Sequence, residues 1–131
     1  QQADGAESGL AVRWGETGPL FKYFYPAQGG EFTLCGFSSD GKLKATEWVA
    51  SRCQQHGLPD DIWQKYLRSL AAMCPGAEVR QSENRDGKVW FWVGTPNRDY
   101  PKLADLVSQQ EAWLTLLQET IEALRLAMEQ R

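Results

Sequence analysis

A chain of 131 residues with a net charge of −3 is sized for one hydrophobic core, burying roughly two thirds of the surface it would expose unfolded. Its 42% hydrophobic, 24% charged and 11% aromatic residues exclude a disordered chain. No apolar run approaches the roughly 20 residues of a membrane-spanning helix, so no membrane partner is expected.

The first nine residues, QQADGAESG, are polar and glycine-containing and read as a frayed terminus. From 10 to 44 the chain is strand-rich. LAVRW (10–14), LFKYFY (20–25) and EFTLCGF (31–37) are separated by the turn formers GETGP, PAQGG and SSDGK, which predicts a small antiparallel sheet. Phe21, Tyr23, Phe24, Tyr25, Phe32 and Phe37 then either bury one face of that sheet or offer rings on which bases can stack.

Segment 45–53 predicts a short helix, capped by Thr46 and ended by Gly57, with Trp48, Val49 and Cys53 on one face. DDIWQKYLRSLAAMC (60–74) predicts a longer amphipathic helix. Its apolar stripe is Trp63, Tyr66, Leu67, Leu70, Ala71 and Cys74, and Asp60 and Asp61 suit the positive end of its dipole. Segment 77–93 folds back as a hairpin around Asp86-Gly87, whose positive φ angles close a tight turn. Val89, Phe91 and Val93 project from one face of the second strand and Trp90 and Trp92 from the other.

After the turn-rich TPNRDYP, one helix is expected from about Pro101 to near the end, about 45 Å long at about 1.5 Å per residue. Leu103, Val107, Gln110, Leu114, Leu117, Ile121, Leu124 and Met128 alternate spacings of four and three, a heptad seam. A second flank, Leu106, Trp113 and Ala127, widens the stripe, so one edge is expected to pack on the domain and the other to form a homodimer through Val107, Gln110, Leu114, Leu117, Ile121 and Leu124, with Gln110 fixing register; the alternative is that the whole stripe packs within its own chain.

The fold class is thus α+β in one domain: an N-terminal antiparallel sheet, a helix-turn-helix with a hairpin over 45–93, and a long C-terminal helix. The 45–93 order resembles the winged helix-turn-helix superfamily, in particular small regulators that dimerise through a C-terminal helix. That resemblance implies nucleic-acid contact by the free face of helix 60–74 and by the hairpin tip, through Gln64, Lys65, Arg68, Arg85 and Lys88. Two features depart from the family: strands where a first helix belongs, and an acidic start to the recognition helix, which phosphate repels. The rival expectation is an acidic protein-interaction adaptor, similar in charge and element content to secretion chaperones, holding a partner segment on exposed aromatic residues such as Trp90 and Trp92.

Bond chemistry is not expected. The chain has no glycine-rich phosphate loop, no G-x-S-x-G and no H-E-x-x-H, and Asp40, Lys44 and Glu47 match no nuclease spacing. Cys35, Cys53 and Cys74 form no C-x-x-C pair and have only His56 as an imidazole partner, so neither metal nor cofactor is expected. An odd, sparse set of thiols favours a reducing compartment, the cytoplasm, although a start at Gln1 leaves a processed, exported product open.

Overall fold

A computed structural model describes residues 10–15, 18–26, 30–97 and 99–131. The polar stretch 1–9, parts of the turns at 16–17 and 27–29, and Arg98 lie outside the described residues. The fold is α+β, with the elements in the expected order. Strands β1 (Leu10–Trp14), β2 (Pro19–Tyr25), β3 (Gly30–Phe37) and β4 (Leu43–Lys44) form an antiparallel meander in that spatial order. Helices α1 (Trp48–Gln55) and α2 (Asp60–Ala72) follow, then a separate hairpin of β5 (Glu78–Glu83) and β6 (Val89–Gly94). Helices α3 (Leu103–Val107) and α4 (Gln110–Gln130) close the chain. Among the described residues no helix is long and apolar enough to cross a membrane.

The core is one cluster with α2 at its centre. The apolar stripe read from the sequence is buried in full: Trp63, Tyr66, Leu67, Leu70, Ala71 and Cys74. The Tyr66 hydroxyl crosses to the sheet and donates to the Leu34 carbonyl at 2.8 Å, so the polar tip of this fully buried ring is satisfied. On its other side, the Trp63 ring lies 4.8 Å from that of Phe91 on β6. The sheet presents its aromatic face to α4: Phe21 and Phe37 both meet Trp113, at 5.4 and 5.7 Å between centroids. Of the six sheet aromatics, Phe32 is fully buried, Tyr23 and Phe37 nearly so, and Phe21 and Tyr25 pack against the core; Phe24 is the exposed one, with Arg13 over its ring. Burial therefore claims most of the proposed stacking platform.

The α1 turn follows its sequence signal at one end only. Gly57 takes φ 71°, Leu58 N–H donates to the Cys53 carbonyl and Gly57 N–H to that of Gln54, and Leu58 is buried: a Schellman stop. At the other end α1 begins one residue later than the Thr46 cap requires, with Glu47 in the cap position. Ala45 takes φ 60°, where a non-glycine residue costs about 1–2 kcal/mol, and the turn aims the buried Thr46 hydroxyl at the hairpin, where it accepts from Val93 N–H at 2.9 Å. Thr46 thus joins α1 to β6 and caps nothing. With α1 starting at Trp48, the core stripe becomes Val49, Ala50 and Cys53, and Trp48 is displaced to the surface at 50% exposure.

The C-terminal helix also departs from its expectation. It breaks at Ser108–Gln109, where Gln109 leaves helical geometry (φ −125°, ψ 41°) and its side-chain amide donates to the carbonyls of Met73 and Asp105. Its buried stripe is Trp113, Leu116, Leu117, Thr120, Ile121, Leu124 and Met128, the wider arc of a helix lying on a domain. Leu117, Ile121 and Leu124, read as seam positions, are part of this chain's own core, while Val107, Gln110 and Leu114 remain exposed. All three thiols are free and buried. Burial pushes Cys35 and Cys53 up to about 12 and Cys74 to about 11, so each is a protonated, apolar filler at neutral pH.

Placing Leu117 in the core makes a prediction that separates it from a dimer seam. Leu117→Lys buries an unpaired ammonium, costing several kcal/mol, and is expected to unfold the chain instead of splitting a folded dimer. Circular dichroism with light scattering checks it; a folded, monomeric variant would place Leu117 at an interface.

Candidate functional site

The period-2 alternation of VWFWV divides β6 into two faces with different neighbours. Phe91 and Val93 face α2 and the core. Trp90 and Trp92 face away from it, opposite Ser82 and Arg80 on β5. Trp92 is held in place: its indole N–H donates to Ser82 Oγ at 2.9 Å, and its ring folds across Gly94, where a Cβ atom would come within 2.3 Å of it. Glycine at 94 is therefore what lets the indole lie flat against the backbone.

The loop after β6 brings a third ring. Thr95 exchanges hydrogen bonds with Asp99, through Thr95 N–H to the Asp99 carbonyl at 3.0 Å and Asp99 N–H to Thr95 Oγ1 at 3.2 Å. The Asp99 carboxylate pairs with the Lys42 ammonium at 2.9 Å and accepts from Tyr100 N–H at 2.8 Å. That ammonium and N–H hold the carboxyl below the usual carboxylate range, with the Lys42 hydrogen bond the larger cause. So anchored, Tyr100 sets its ring 5.4 Å from that of Trp92, with the Lys44 ammonium 5.0 Å above the Tyr100 ring. Two backbone hydrogen bonds, Leu43 N–H to the Pro101 carbonyl and Leu103 N–H to that of Gly41, zip the loop's exit to β4.

Glu47, the last residue before α1, completes the wall. Glu47, Ser82, Trp90, Trp92 and Tyr100 enclose an open cleft of about 270 Å³. Glu47 is a half-buried residue, makes no capping bond to α1, and has no ion-pair partner among the described residues. The sequence reading singled out Trp90 and Trp92 from their alternation but missed Tyr100, because its position depends on the Lys42–Asp99 pair between distant segments. Glu47 was weighed only with Asp40 and Lys44; in the fold Asp40 accepts from the Ser38 hydroxyl and Lys44 covers Tyr100.

The residues implied by the winged-helix resemblance lie on two elements. On α2, Lys65 and Arg68 are exposed and Gln64 is half-buried, sharing the free face with Asp61; Lys65 also borders a shallow pocket against Glu119 and Thr120 of α4. At the hairpin tip, Arg85 and Lys88 are exposed on either side of Asp86. The turn itself is longer than the Asp-Gly pair suggested. It spans 84–88, only Gly87 has a positive φ, and Asn84 Oδ1 accepts from the N–H groups of Asp86 and Lys88, both at 2.9 Å. Arg80, further along the same hairpin, is bound to Glu78 at 2.7 Å. Among the described residues no group of three or more His, Cys, Asp or Glu is placed to hold a metal ion. No protein-family model, curated protein or solved structure matches the chain.

The contact between Gly94 and the Trp92 ring is testable alone. Gly94→Ala is expected to expel the indole, cost about 1–3 kcal/mol as overpacking does, and shift tryptophan emission to the red. Denaturation followed by fluorescence checks this, and unchanged stability with unchanged emission would contradict it.

Proposed function

We infer that the chain is a binding module that holds a segment of a partner protein on the outer face of its hairpin. The observation that carries the reading is the cleft itself: the partly exposed Trp90 and Tyr100 rings and one carboxylate, gathered over the buried Trp92 on the outer face of the hairpin. Folding accounts for Trp92, which is buried at 8% exposure, but gives no reason for the Trp90 and Tyr100 rings to remain open to water. A partner that covers them gains about 25 cal/mol for each Å² of apolar surface removed from water, and rings of this kind are the side chains that dominate binding energy. Trp48, which follows Glu47 and is 50% exposed, adds a further ring at the start of α1.

A second reading, nucleic-acid binding of the winged-helix kind, is favoured by one observation. Lys65, Arg68, Arg85 and Lys88 are all exposed and none has an ion-pair partner among the described residues, so their charges are available to phosphate. Asp61 on the same helix face, and Glu83 and Asp86 beside the tip, offset those charges and weaken that attraction. The partner-segment reading ranks first on this balance.

A photo-crosslinking residue in place of Trp48, introduced in the source cells, discriminates the two. The expected product is one enriched protein adduct that disappears when Trp90→Ala is added. An adduct to nucleic acid, or steep salt-dependent binding of duplex DNA that Arg85→Ala with Lys88→Ala flattens by about two units of slope, would instead establish the second reading.

A further inference from the structure

We propose that the cleft bounded by Glu47, Trp90, Trp92 and Tyr100 receives the guanidinium of an arginine carried by the partner segment, an inference that rests on the partner-segment reading above.

The charges around the cleft identify the occupant. Arg80 is bound to Glu78, Lys42 to Asp99, and the Lys44 ammonium lies over the Tyr100 ring without forming part of the cleft wall. The charge presented to the interior is therefore that of Glu47, half-buried and with no cation in ion-pair reach among the described residues. An unpaired carboxylate lining a cleft of indole and phenol rings favours an incoming cation. Electrostatics of the rings act in the same direction, because each π face is negative and attracts a cation within about 6 Å of its centroid. Tyr100 already holds one cation in this way. An anionic side chain is repelled by Glu47.

Shape narrows the class of cation. At about 270 Å³ the cleft falls just below the range of about 300–1,000 Å³ typical of sites for whole small molecules, and suits one long side chain entering from solvent. The guanidinium is planar, so it can stack on an indole while its fork of N–H donors meets a carboxylate edge-on, and it sheds water more readily than an ammonium. Ser82 Oγ, which accepts the Trp92 indole N–H, fixes the ring that forms the back wall.

The test is a fluorescence titration of the full chain with Nα-acetyl-arginine N-methylamide and with its uncharged isostere, the citrulline compound, at constant ionic strength. The expected result is saturable quenching by the arginine compound in the millimolar range. The citrulline compound should bind roughly tenfold more weakly, the ratio that one charge-assisted pair supplies. Glu47→Gln, checked for folding by circular dichroism, should lose that preference. Equal affinity for the two compounds in the wild-type chain, or no saturable response to the arginine compound, overturns the proposal. Neither outcome bears on the crosslink at position 48, which decides separately whether a partner segment is held.

Discussion

The burial of helix α2 is the constraint on which the rest of the fold depends. Its stripe from Trp63 to Ala71 is too wide to be covered by one neighbour, and three elements close over it: α1, α4 and the hairpin. Each contributes apolar groups, and a long-range hydrogen bond from the Tyr66 hydroxyl to the Leu34 carbonyl ties the helix to the sheet. A fully buried hydroxyl without that acceptor would cost about 1–3 kcal/mol, so the bond selects a single docking of helix and sheet among those that apolar contact alone would tolerate.

The cleft follows from how the hairpin meets that demand. Because side chains alternate across a strand, β6 can give Phe91 and Val93 to α2 only by turning Trp90 and Trp92 outward. Thr46 then fastens β6 to the turn before α1 through Val93 N–H, which sets Glu47 beside the outward rings. Tyr100 arrives from the opposite direction, held by Asp99 and Lys42. The cleft is thus assembled from three chain segments, each positioned by an interaction that also serves the fold. Its geometry is accordingly set by the fold itself, and the partner proposed above would bind it at a lower entropic cost for that reason.

Much of this was legible in the sequence wherever local chemistry decides. The strands at 10–14 and 31–37, the helix at 60–72, the stop at Gly57 and the two faces of β6 all follow from alternation, helical periodicity and turn residues. What was not legible depends on partners remote in sequence. Thr46 has the chemistry of a cap, and only the approach of Val93 redirects its hydroxyl. The break at Gln109 depends on the Met73 carbonyl being within reach of a side-chain amide. The stripe of α4 is ambiguous for a deeper reason: alternating steps of four and three fit a coiled-coil seam and an ordinary core face alike over so few turns. Trp113, legible as a flank of the seam, is joined in the structure by Leu116 and Thr120, and together they widen the arc toward the core.

The central claim is that β6 divides at Trp90: its inner face and Trp92 serve the fold, while Trp90 is left free to meet the proposed partner. Urea denaturation of Phe91→Ala beside Trp90→Ala tests it most directly. Loss of the Phe91 ring, which packs on Trp63, should cost about 2 kcal/mol or more, whereas loss of Trp90 should cost less than about 1 kcal/mol. Equal losses, or a larger loss at Trp90, would make the outer face part of the folding core and contradict the account.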